Sequence, residues 1–256
     1  MKIARFSHEG RISFGIVDDD EIVVLKGDPM FAGYDPSGER VALRDVKLLA
    51  PVIPRSKIVG MAWSYFADAA EQSAAARSPG EPRFFLKPNT CVVGPGDPIT
   101  VPVSTDNVHV EGELAIVIGK ITRNVSVDAA EDSIWGCTVA NDVTARDLQE
   151  RDGDLTRAKS FDSFCPLGPV IDTEYDWTTL TIESRINGEV FQKGNATLLK
   201  HTVAEMISFV SSVFTLLPGD VILTGAPDRS ASVVHGDAVQ VEIAGIGVLA
   251  NPVRRA

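Results

Sequence analysis

The stretch VHVEGELAIVIGK, residues 108–120, places the strictest constraint on the fold of this chain. After its first residues it is almost continuously apolar, which is typical of a strand that is buried on both faces. Glu111 and Glu113 nevertheless lie within it, and side chains two positions apart on a strand point to the same side. Two neighbouring buried carboxylates repel each other and are costly to remove from water unless a cation compensates them. The sequence therefore predicts a cation beside this strand.

A second stretch, WGCTVANDVTARDLQERDG at residues 135–153, supplies a third carboxylate. Asp142 follows the apolar run WGCTVA, at the end of a predicted buried strand, where it could complete an oxygen triad with the two glutamates. Three carboxylates suit a hard divalent cation, Mg²⁺ or Mn²⁺, which keeps positions open for water and substrate. The spacing alone leaves an alternative open, in which Glu111 and Glu113 line a solvated sheet face and Asp142 caps a turn.

Composition limits the class of protein. The 256 residues carry a formal net charge of −11 without a basic cluster, which argues against a nucleic-acid partner. No apolar run is long enough to span a membrane and the first residues lack a signal peptide, so we expect a cytoplasmic protein. The three cysteines are widely spaced and predict reduced thiols. The four histidines show no HxxxH spacing, so oxygen ligands are expected to hold any metal.

The pattern of apolar residues predicts two unequal parts, a small β-rich N-terminal domain over residues 1–55 and a main domain over residues 56–256. The proline-containing stretch LLAPVIPRSKIVG, residues 48–60, is expected to link them. Helical spacing is confined to SYFADAAEQSAAA, VDAAEDSI and TVAEMISFVSSVFTLL. The fold is therefore predicted as α+β and mainly β, without a βαβ wind. Strands are expected in KIARFS, ISFGIV, EIVVLK, FFLKP, CVVG, ELAIVIG, WGCTVAND, LTIESRING, VILTGAP and AVQVEI.

Several ungapped blocks of the sequence resemble the fumarylacetoacetate hydrolase superfamily. The resemblance extends over about residues 56–253, with the blocks in order and compatibly spaced. It implies the mixed β-sandwich and β-roll main domain of that superfamily, preceded by a small, variable α+β domain. The blocks are RFFLKPNTCVVGPGDPI (83–99), EGELAIVIGK (111–120), NDVTARDLQ (141–149), KSFDSFCPLGP (159–169), PGDVILTGAP (218–227) and VEIAGIGVLANPV (241–253).

The resemblance implies roles for the carboxylates of the first two stretches. Glu111, Glu113 and Asp142 match the metal-binding carboxylates of the superfamily, so the expected cation is Mg²⁺ or Mn²⁺. Lys159 matches its active-site lysine. A lysine beside three carboxylates can offset residual negative charge and bind an oxyanion of the substrate. The alternative for Lys159 is a surface lysine in a turn.

The same blocks imply residues that contact the substrate. Arg146 and Gln149 match positions that bind the carboxylate or carbonyl of a substrate, and Thr224 in the TGAP loop is predicted as a further contact. For Arg146, a structural ion pair with Asp147 or Asp152 is a close alternative.

Departures from the superfamily bear on the reaction. Members usually carry NYxxHxxE, whose histidine and glutamate activate water on a mobile lid helix. Here Ser64 replaces the asparagine and Asp68 the histidine, while Tyr65 and Glu71 are kept. Asp68 and Glu71 are predicted as catalytic residues that share a proton, and Tyr65 as a substrate contact. Two exposed helix carboxylates without a chemical role are the alternative. Ala226, where a threonine is usual, predicts a pocket for a different or larger substrate.

These residues predict a divalent-metal-dependent hydrolase that cleaves a C–C bond in a 1,3-diketo or acylpyruvate-type 2-oxo acid. An isomerase or decarboxylase of a 2-oxo or 2-hydroxydienoic acid is the alternative, because the altered lid lacks the usual histidine. A non-catalytic binding protein with the same fold is a third, less favoured interpretation. The resemblance also implies a homodimer that takes a small oxo acid as its substrate.

Overall fold

The computed structural model describes residues 1–75 and 80–256. Within them the chain is mainly β. The α-helices are α1 (Pro29–Ala32), α2 (Ala69–Ala75), α3 (Val127–Ala130), α4 (Arg146–Asp152) and α5 (Val203–Val213). Short 3-10 helices cover Leu43–Asp45, Asn89–Cys91, Glu131–Ser133, Trp177–Thr179 and Ala196–Leu198. The strands are β1 (Lys2–His8), β2 (Arg11–Asp18), β3 (Glu21–Leu25), β4 (Pro36–Ala42), β5 (Lys47–Leu48), β6 (Ile58–Ala62), β7 (Arg83–Lys87), β8 (Val92–Val93), β9 (Ile99–Val101), β10 (Val108–Val110), β11 (Gly112–Ile118), β12 (Ile134–Asn141), β13 (Thr144–Ala145), β14 (Cys165–Asp172), β15 (Thr181–Ile186), β16 (Glu189–Asn195), β17 (Val221–Leu223), β18 (Ala231–Val233), β19 (Ala238–Ile243) and β20 (Gly247–Arg255).

The strands form a large sheet and two smaller ones. The large sheet has twelve strands, and its main path runs β4-β3-β2-β1-β14-β12-β11-β17-β6-β7, with β5 beside β1 and β8 beside β14. A five-stranded sheet has the order β16-β15-β19-β20-β9, and a three-stranded sheet the order β13-β10-β18. The predicted α+β, mainly β architecture is confirmed.

Strand β11 lies inside the large sheet between β12 and β17, and all of its residues are buried. Leu114 and Ile116 pack into a core that includes α5 and residues of the five-stranded sheet, whereas Ala115 and Val117 pack into a second core. Burial on both faces explains why this run is continuously apolar. Glu113 has the same parity as Ala115 and Val117, so its side chain leaves the sheet on a face that is otherwise buried among apolar residues.

The helices agree only in part with the sequence prediction. Helices α2, α3 and α5 form inside the three predicted stretches, but α2 begins at Ala69 because residues 64–66 pair with residues 198–200. Ala76, the last residue of that predicted stretch, lies outside the described residues. Helix α4 is absent from the prediction, since Leu148 is its one buried residue and leaves no periodic apolar pattern. No helix in the described part of the chain has the length and hydropathy needed to cross a membrane.

The N-terminal strands continue the large sheet. Strand β1 pairs antiparallel with β14, and β2, β3 and β4 follow outward from β1. Within the predicted linker of residues 48–60, residues 51–57 contain neither helix nor strand, whereas Leu48 ends β5 and residues 58–60 belong to β6. The division of the chain at residue 55 into two domains stays a prediction, because both parts contribute strands to one sheet.

Hydrogen bonds to Asp220 connect this linker to the large sheet. Its buried carboxylate accepts hydrogen bonds from Ser56 Oγ at 2.7 Å, from Lys57 Nζ at 2.7 Å and from the Leu217 N–H at 2.9 Å. Asp220 directly precedes β17, and Lys57 directly precedes β6, which pairs parallel with β17. One carboxylate therefore fixes the beginnings of two neighbouring parallel strands.

Replacing Asp220 with alanine is expected to lower the free energy of unfolding by about 3 kcal/mol, because several donors lose their acceptor and Lys57 loses its partner. Asp220→Asn keeps an acceptor of the same shape and should lower it less. Ser56→Ala removes a single donor and is the control. Urea denaturation followed by circular dichroism measures all three variants, and an Asp220→Ala protein as stable as the wild type would contradict this account.

Candidate active site

Three carboxylates meet where β11 begins and β12 ends. Glu111 lies between β10 and β11, Glu113 lies in β11, and Asp142 directly follows β12. The Asp142 N–H donates to the Glu111 carbonyl at 2.8 Å, which brings the two chain segments together. Oxygen atoms of the three carboxylates all lie within 4.8 Å of one another. The predicted proximity is confirmed. The solvated-face alternative is wrong, because Glu113 is 2% and Asp142 1% exposed.

Glu113 lies in an environment that disfavours its charge. Burial raises its pKa well above the ordinary value, and repulsion from Asp142 and Glu111 raises that pKa further. The Gly225 N–H donates to Glu113 Oε2 at 2.7 Å. Gly225 has a φ of +90°, and a Cβ there would lie 1.8 Å from Ser64 Oγ, so a side chain does not fit beside this carboxylate. A cation would relieve the repulsion between the three acids.

Two buried lysines bind the two oxygens of Asp142. Lys87 Nζ donates to Oδ1 and to the Phe164 carbonyl, the latter at 2.8 Å, while Lys159 Nζ donates to Oδ2 and to Glu111 Oε2, the latter at 3.0 Å. Burial alone would raise the pKa of Asp142, but attraction to Lys159 and Lys87 outweighs burial and lowers it. Burial alone would lower the pKa of Lys159, but attraction to the carboxylates raises it. Lys159 is 4% exposed, so the surface-lysine alternative is wrong.

Arg146 binds residues of the site rather than its own sequence neighbours. Its guanidinium donates to Glu111 Oε1 at 2.5 Å, to Gln149 Oε1 at 2.8 Å and to Ser230 Oγ at 3.3 Å. Asp147 instead accepts from Thr105 and from backbone N–H groups, and Asp152 pairs with Arg157 and Arg151, so the predicted alternative ion pair of Arg146 is wrong. Arg146 and Gln149 both line the cavity next to the triad.

The triad opens into a cavity of about 370 Å³. Five carboxylates and three cationic side chains line it, so the lining carries a negative formal charge that would attract a cation. A set of three carboxylate oxygens is also the donor type that hard divalent ions prefer, and the residues present therefore fit Mg²⁺ or Mn²⁺. The charged lining consists of Glu71, Glu111, Glu113, Asp142, Asp228, Arg146, Lys159 and Lys200.

The two predicted lid residues occupy different positions. Asp68 is exposed, and its Oδ1 accepts from the Glu71 N–H at 2.8 Å, which makes it the N-terminal cap of α2. Glu71 Oε2 accepts from the Ala67 N–H at 2.5 Å, and Glu71 lines the cavity. Asp68 is not among the residues that line the cavity. The geometry therefore favours a structural role for Asp68 over its predicted role as a catalytic base.

The two remaining predicted substrate contacts, Tyr65 and Thr224, also occupy different positions. Tyr65 lines the cavity, and its buried hydroxyl lies near Thr224 without a hydrogen bond of ordinary geometry. Burial and then repulsion from Glu113 raise the pKa of Tyr65, so the phenol stays protonated. Thr224 is fully buried, its hydroxyl donates to the Leu114 carbonyl at 3.1 Å, and it does not line the cavity. This position does not favour Thr224 as a substrate contact.

Several residues of the site escape sequence reasoning. Lys87 lies in a short apolar strand and Lys200 in a loop, and neither has a neighbour in sequence that signals a buried or cavity-facing cation. Asp228 lines the cavity from the loop after Ala226. The apolar part of the lining, which includes Trp63 and Phe85, belongs to stretches that resemble any buried strand or turn. For Phe85, only its position in the block at residues 83–99 could have drawn attention to it.

Comparison with known families extends over nearly the whole chain. The family described as "Fumarylacetoacetate (FAA) hydrolase C-terminal" matches residues 57–254, and the family described as "Rv2993c-like, N-terminal" matches residues 1–51. The first match contains every residue of the carboxylate triad and both buried lysines.

Proteins with similar sequences and structures have several activities in their names. A crystal structure named 5-carboxymethyl-2-hydroxymuconate delta-isomerase from Mycobacterium smegmatis superposes with a TM-score of 0.92 at 39% identity, over 100% of both chains. The mitochondrial oxaloacetate tautomerase fahd2 of Xenopus laevis is 38% identical over 87% of this chain and 73% of that protein. A maleylpyruvate hydrolase from Sphingobium sp. SYK-6, in complex with manganese(II) and pyruvate, superposes with a TM-score of 0.82 at 31% identity, over 100% of both chains. The chain belongs to the fumarylacetoacetate hydrolase superfamily, whose members include isomerases, tautomerases and hydrolases.

Proposed function

We propose that this protein is a divalent-metal-dependent tautomerase or isomerase, which moves a proton on a 2-oxo acid by way of its enol. The observation that carries the proposal is the difference between the two carboxylates of the lid segment. Glu71 lines the cavity, whereas Asp68 caps helix α2 outside the lining. Proton transfer at carbon needs one acid–base group, while hydrolysis also needs an activated water. The cavity therefore suits proton transfer better than hydrolysis.

Glu111, Glu113 and Asp142 would bind the metal, Mg²⁺ or Mn²⁺. When bound, the ion supplies Lewis-acid stabilisation of the charge that develops on the substrate oxygen. Asp142 stays ionised because Lys159 and Lys87 lower its pKa. Arg146 donates to Glu111 Oε1 and so orients that carboxylate within the triad.

The chain's own side chains would carry the proton and stabilise the enolate. The pKa of Lys159 is raised by the carboxylates around it, so its ammonium stays charged and can donate to a substrate oxyanion. Glu71 would take the proton from carbon and return it at the other end of the enol. The Phe85 ring lies 4.9 Å from Lys159 Nζ, and Tyr65 and Phe66 are buried, so part of the cavity wall excludes water from these steps.

C–C hydrolysis, the function predicted first from the sequence, is the second candidate. It is favoured by the similarity to a maleylpyruvate hydrolase that binds manganese(II) and pyruvate. Glu71 would then activate a water molecule instead of abstracting a proton from carbon. Both reactions pass through an enolate, so they share the triad and Lys159 and differ in what Glu71 acts on.

Glu113→Gln is expected to weaken Mn²⁺ binding at least about a hundredfold, because an amide replaces an anionic ligand. The metal-free variant should unfold at the same temperature as the wild type or higher, since the substitution removes a buried charge. Calorimetric titration with Mn²⁺ and thermal unfolding measure the two effects. Glu189→Gln, an exposed position on β16, is the control. Unchanged Mn²⁺ affinity in Glu113→Gln would remove the triad as the metal site.

Substitutions at Asp68, Glu71 and Lys159 test the roles that the proposal gives to these three residues. Asparagine caps a helix as well as aspartate does, so Asp68→Asn should leave both the fold and the rate of tautomerisation unchanged. Glu71→Gln and Lys159→Met should each lower kcat/KM about a hundredfold or more, which is the usual contribution of an acid–base group or an oxyanion donor.

The assay follows the ultraviolet absorbance of enol oxaloacetate, with Mn²⁺ present, and a parallel incubation of an acylpyruvate in ¹⁸O-water. A tautomerase converts the enol and incorporates no ¹⁸O by C–C cleavage. Cleavage products that carry ¹⁸O, without conversion of the enol, would replace the proposal with the hydrolase.

A further inference from the structure

The three cationic side chains of the cavity differ in whether a carboxylate neutralises their charge. Arg146 donates to Glu111, and Lys159 donates to Glu111 and Asp142. Lys200 also lines the cavity, yet within residues 1–75 and 80–256 its ammonium has neither an ion pair nor a hydrogen bond to an acidic group. Its recorded contact is with an aromatic ring, that of Phe66, whose centroid lies 5.3 Å from Nζ. Lys200 is therefore the cation of this cavity that lacks a counter-ion.

The backbone fixes Lys200 beside the cavity wall. The Lys200 N–H donates to the Ser64 carbonyl at 2.8 Å, and the Phe66 N–H donates to the Leu198 carbonyl at 2.8 Å. Tyr65 and Leu199 form a β-bridge between these two bonds. The stem of Lys200 therefore leaves the chain directly beside residues that line the cavity, and its place in the site does not depend on the ammonium's own contacts.

We infer that Lys200 binds a second carboxylate of the substrate, at the end opposite to the 2-oxo acid group. The inference rests on the proposed function, because the 2-oxo acid end must lie at the triad and Lys159. Lys200 is a partly buried residue, and a ligand anion would supply the counter-ion that its ammonium lacks. A charge-assisted hydrogen bond is among the stronger contacts that a small ligand can make. The inference predicts that a ligand with a second carboxylate binds more tightly than the matching monoacid.

The arrangement of charge supports a diacid over a monoacid. The triad end of the cavity carries three carboxylates with Lys87 and Lys159, and there a metal ion would receive the first carboxylate and the oxo group. Away from Lys159, the cationic lining consists of Arg146, which is already paired with Glu111, and Lys200, while Glu71 and Asp228 would repel a second carboxylate. A volume of about 370 Å³ accommodates a small diacid but leaves little room for a large hydrophobic group beside it.

Two ligands of equal length test the inference. 2-Oxoglutarate and 2-oxopentanoate share the 2-oxo acid end and differ in whether the far end is a carboxylate or a methyl group. Calorimetric titration into the Mn²⁺-loaded protein is expected to show about tenfold tighter binding of 2-oxoglutarate to the wild type. In Lys200→Met this preference should vanish, with the affinity for 2-oxopentanoate unchanged within about twofold. Lys200→Arg should keep the preference.

The control is Lys193→Met, which removes an exposed lysine that pairs with Glu183 away from the cavity. It should leave both affinities as in the wild type. Oxalate, which offers only the chelating end, should bind the wild type and Lys200→Met equally.

Two outcomes would overturn the inference in distinguishable ways. Equal affinity of the wild type for both ligands, or a preference that survives in Lys200→Met, removes Lys200 as the site of the second carboxylate and leaves the proposed function standing. Failure of oxalate and of both 2-oxo acids to bind the Mn²⁺-loaded protein removes the proposed function, and the inference with it.

Discussion

The site depends on a carboxylate, Asp142, that is buried between two lysines. An isolated anion in such a place would take up a proton, because burial alone favours the neutral acid. Lys87 and Lys159 reverse this and lower the Asp142 pKa. Lys87 also donates to the Phe164 carbonyl, so the same ammonium connects the end of β7 to the segment that precedes β14. The ion pairs of Asp142 with Lys87 and Lys159 therefore set both the charge balance of the site and the positions of the surrounding strands.

The sequence predicts the parts of the site that follow from local periodicity. The Glu111 and Glu113 spacing in an apolar run predicts a cation, and Asp142 at the end of a strand is predicted as the third oxygen ligand. The structure confirms that these three carboxylates lie together. Their proximity could be predicted because strand geometry relates neighbouring residues directly. The mainly β fold follows for the same reason, since alternation and turn residues are local signals.

The remaining features depend on contacts between residues that are distant in the chain. Lys87 and Asp142 are 55 residues apart, and no local pattern relates them. The same holds for Lys200, whose place in the cavity comes from pairing with residues 64–66. Asp68, in contrast, has a local sequence signal, but that signal predicts a role that the geometry does not favour. A motif position suggests a base there, while the helix that begins directly after it offers the carboxylate a backbone N–H. The homodimer stays a prediction.

The packing of strand β11 limits which substitutions the protein tolerates near the three carboxylates. Its residues beyond Glu113 belong to two cores at once, so any adjustment of the triad would disturb packing on both sides of the sheet. The rest of the cavity wall comes from residues 61–67, from Lys200 and from the loop that contains Ala226 and Asp228. Within that wall Trp63, Ala67 and Asp228 are exposed, so substitutions at these positions can reshape the space above the carboxylates at little cost to the core. When the carboxylates are held rigidly and the cavity wall tolerates substitution, one fold can carry isomerase, tautomerase and hydrolase activities in different members.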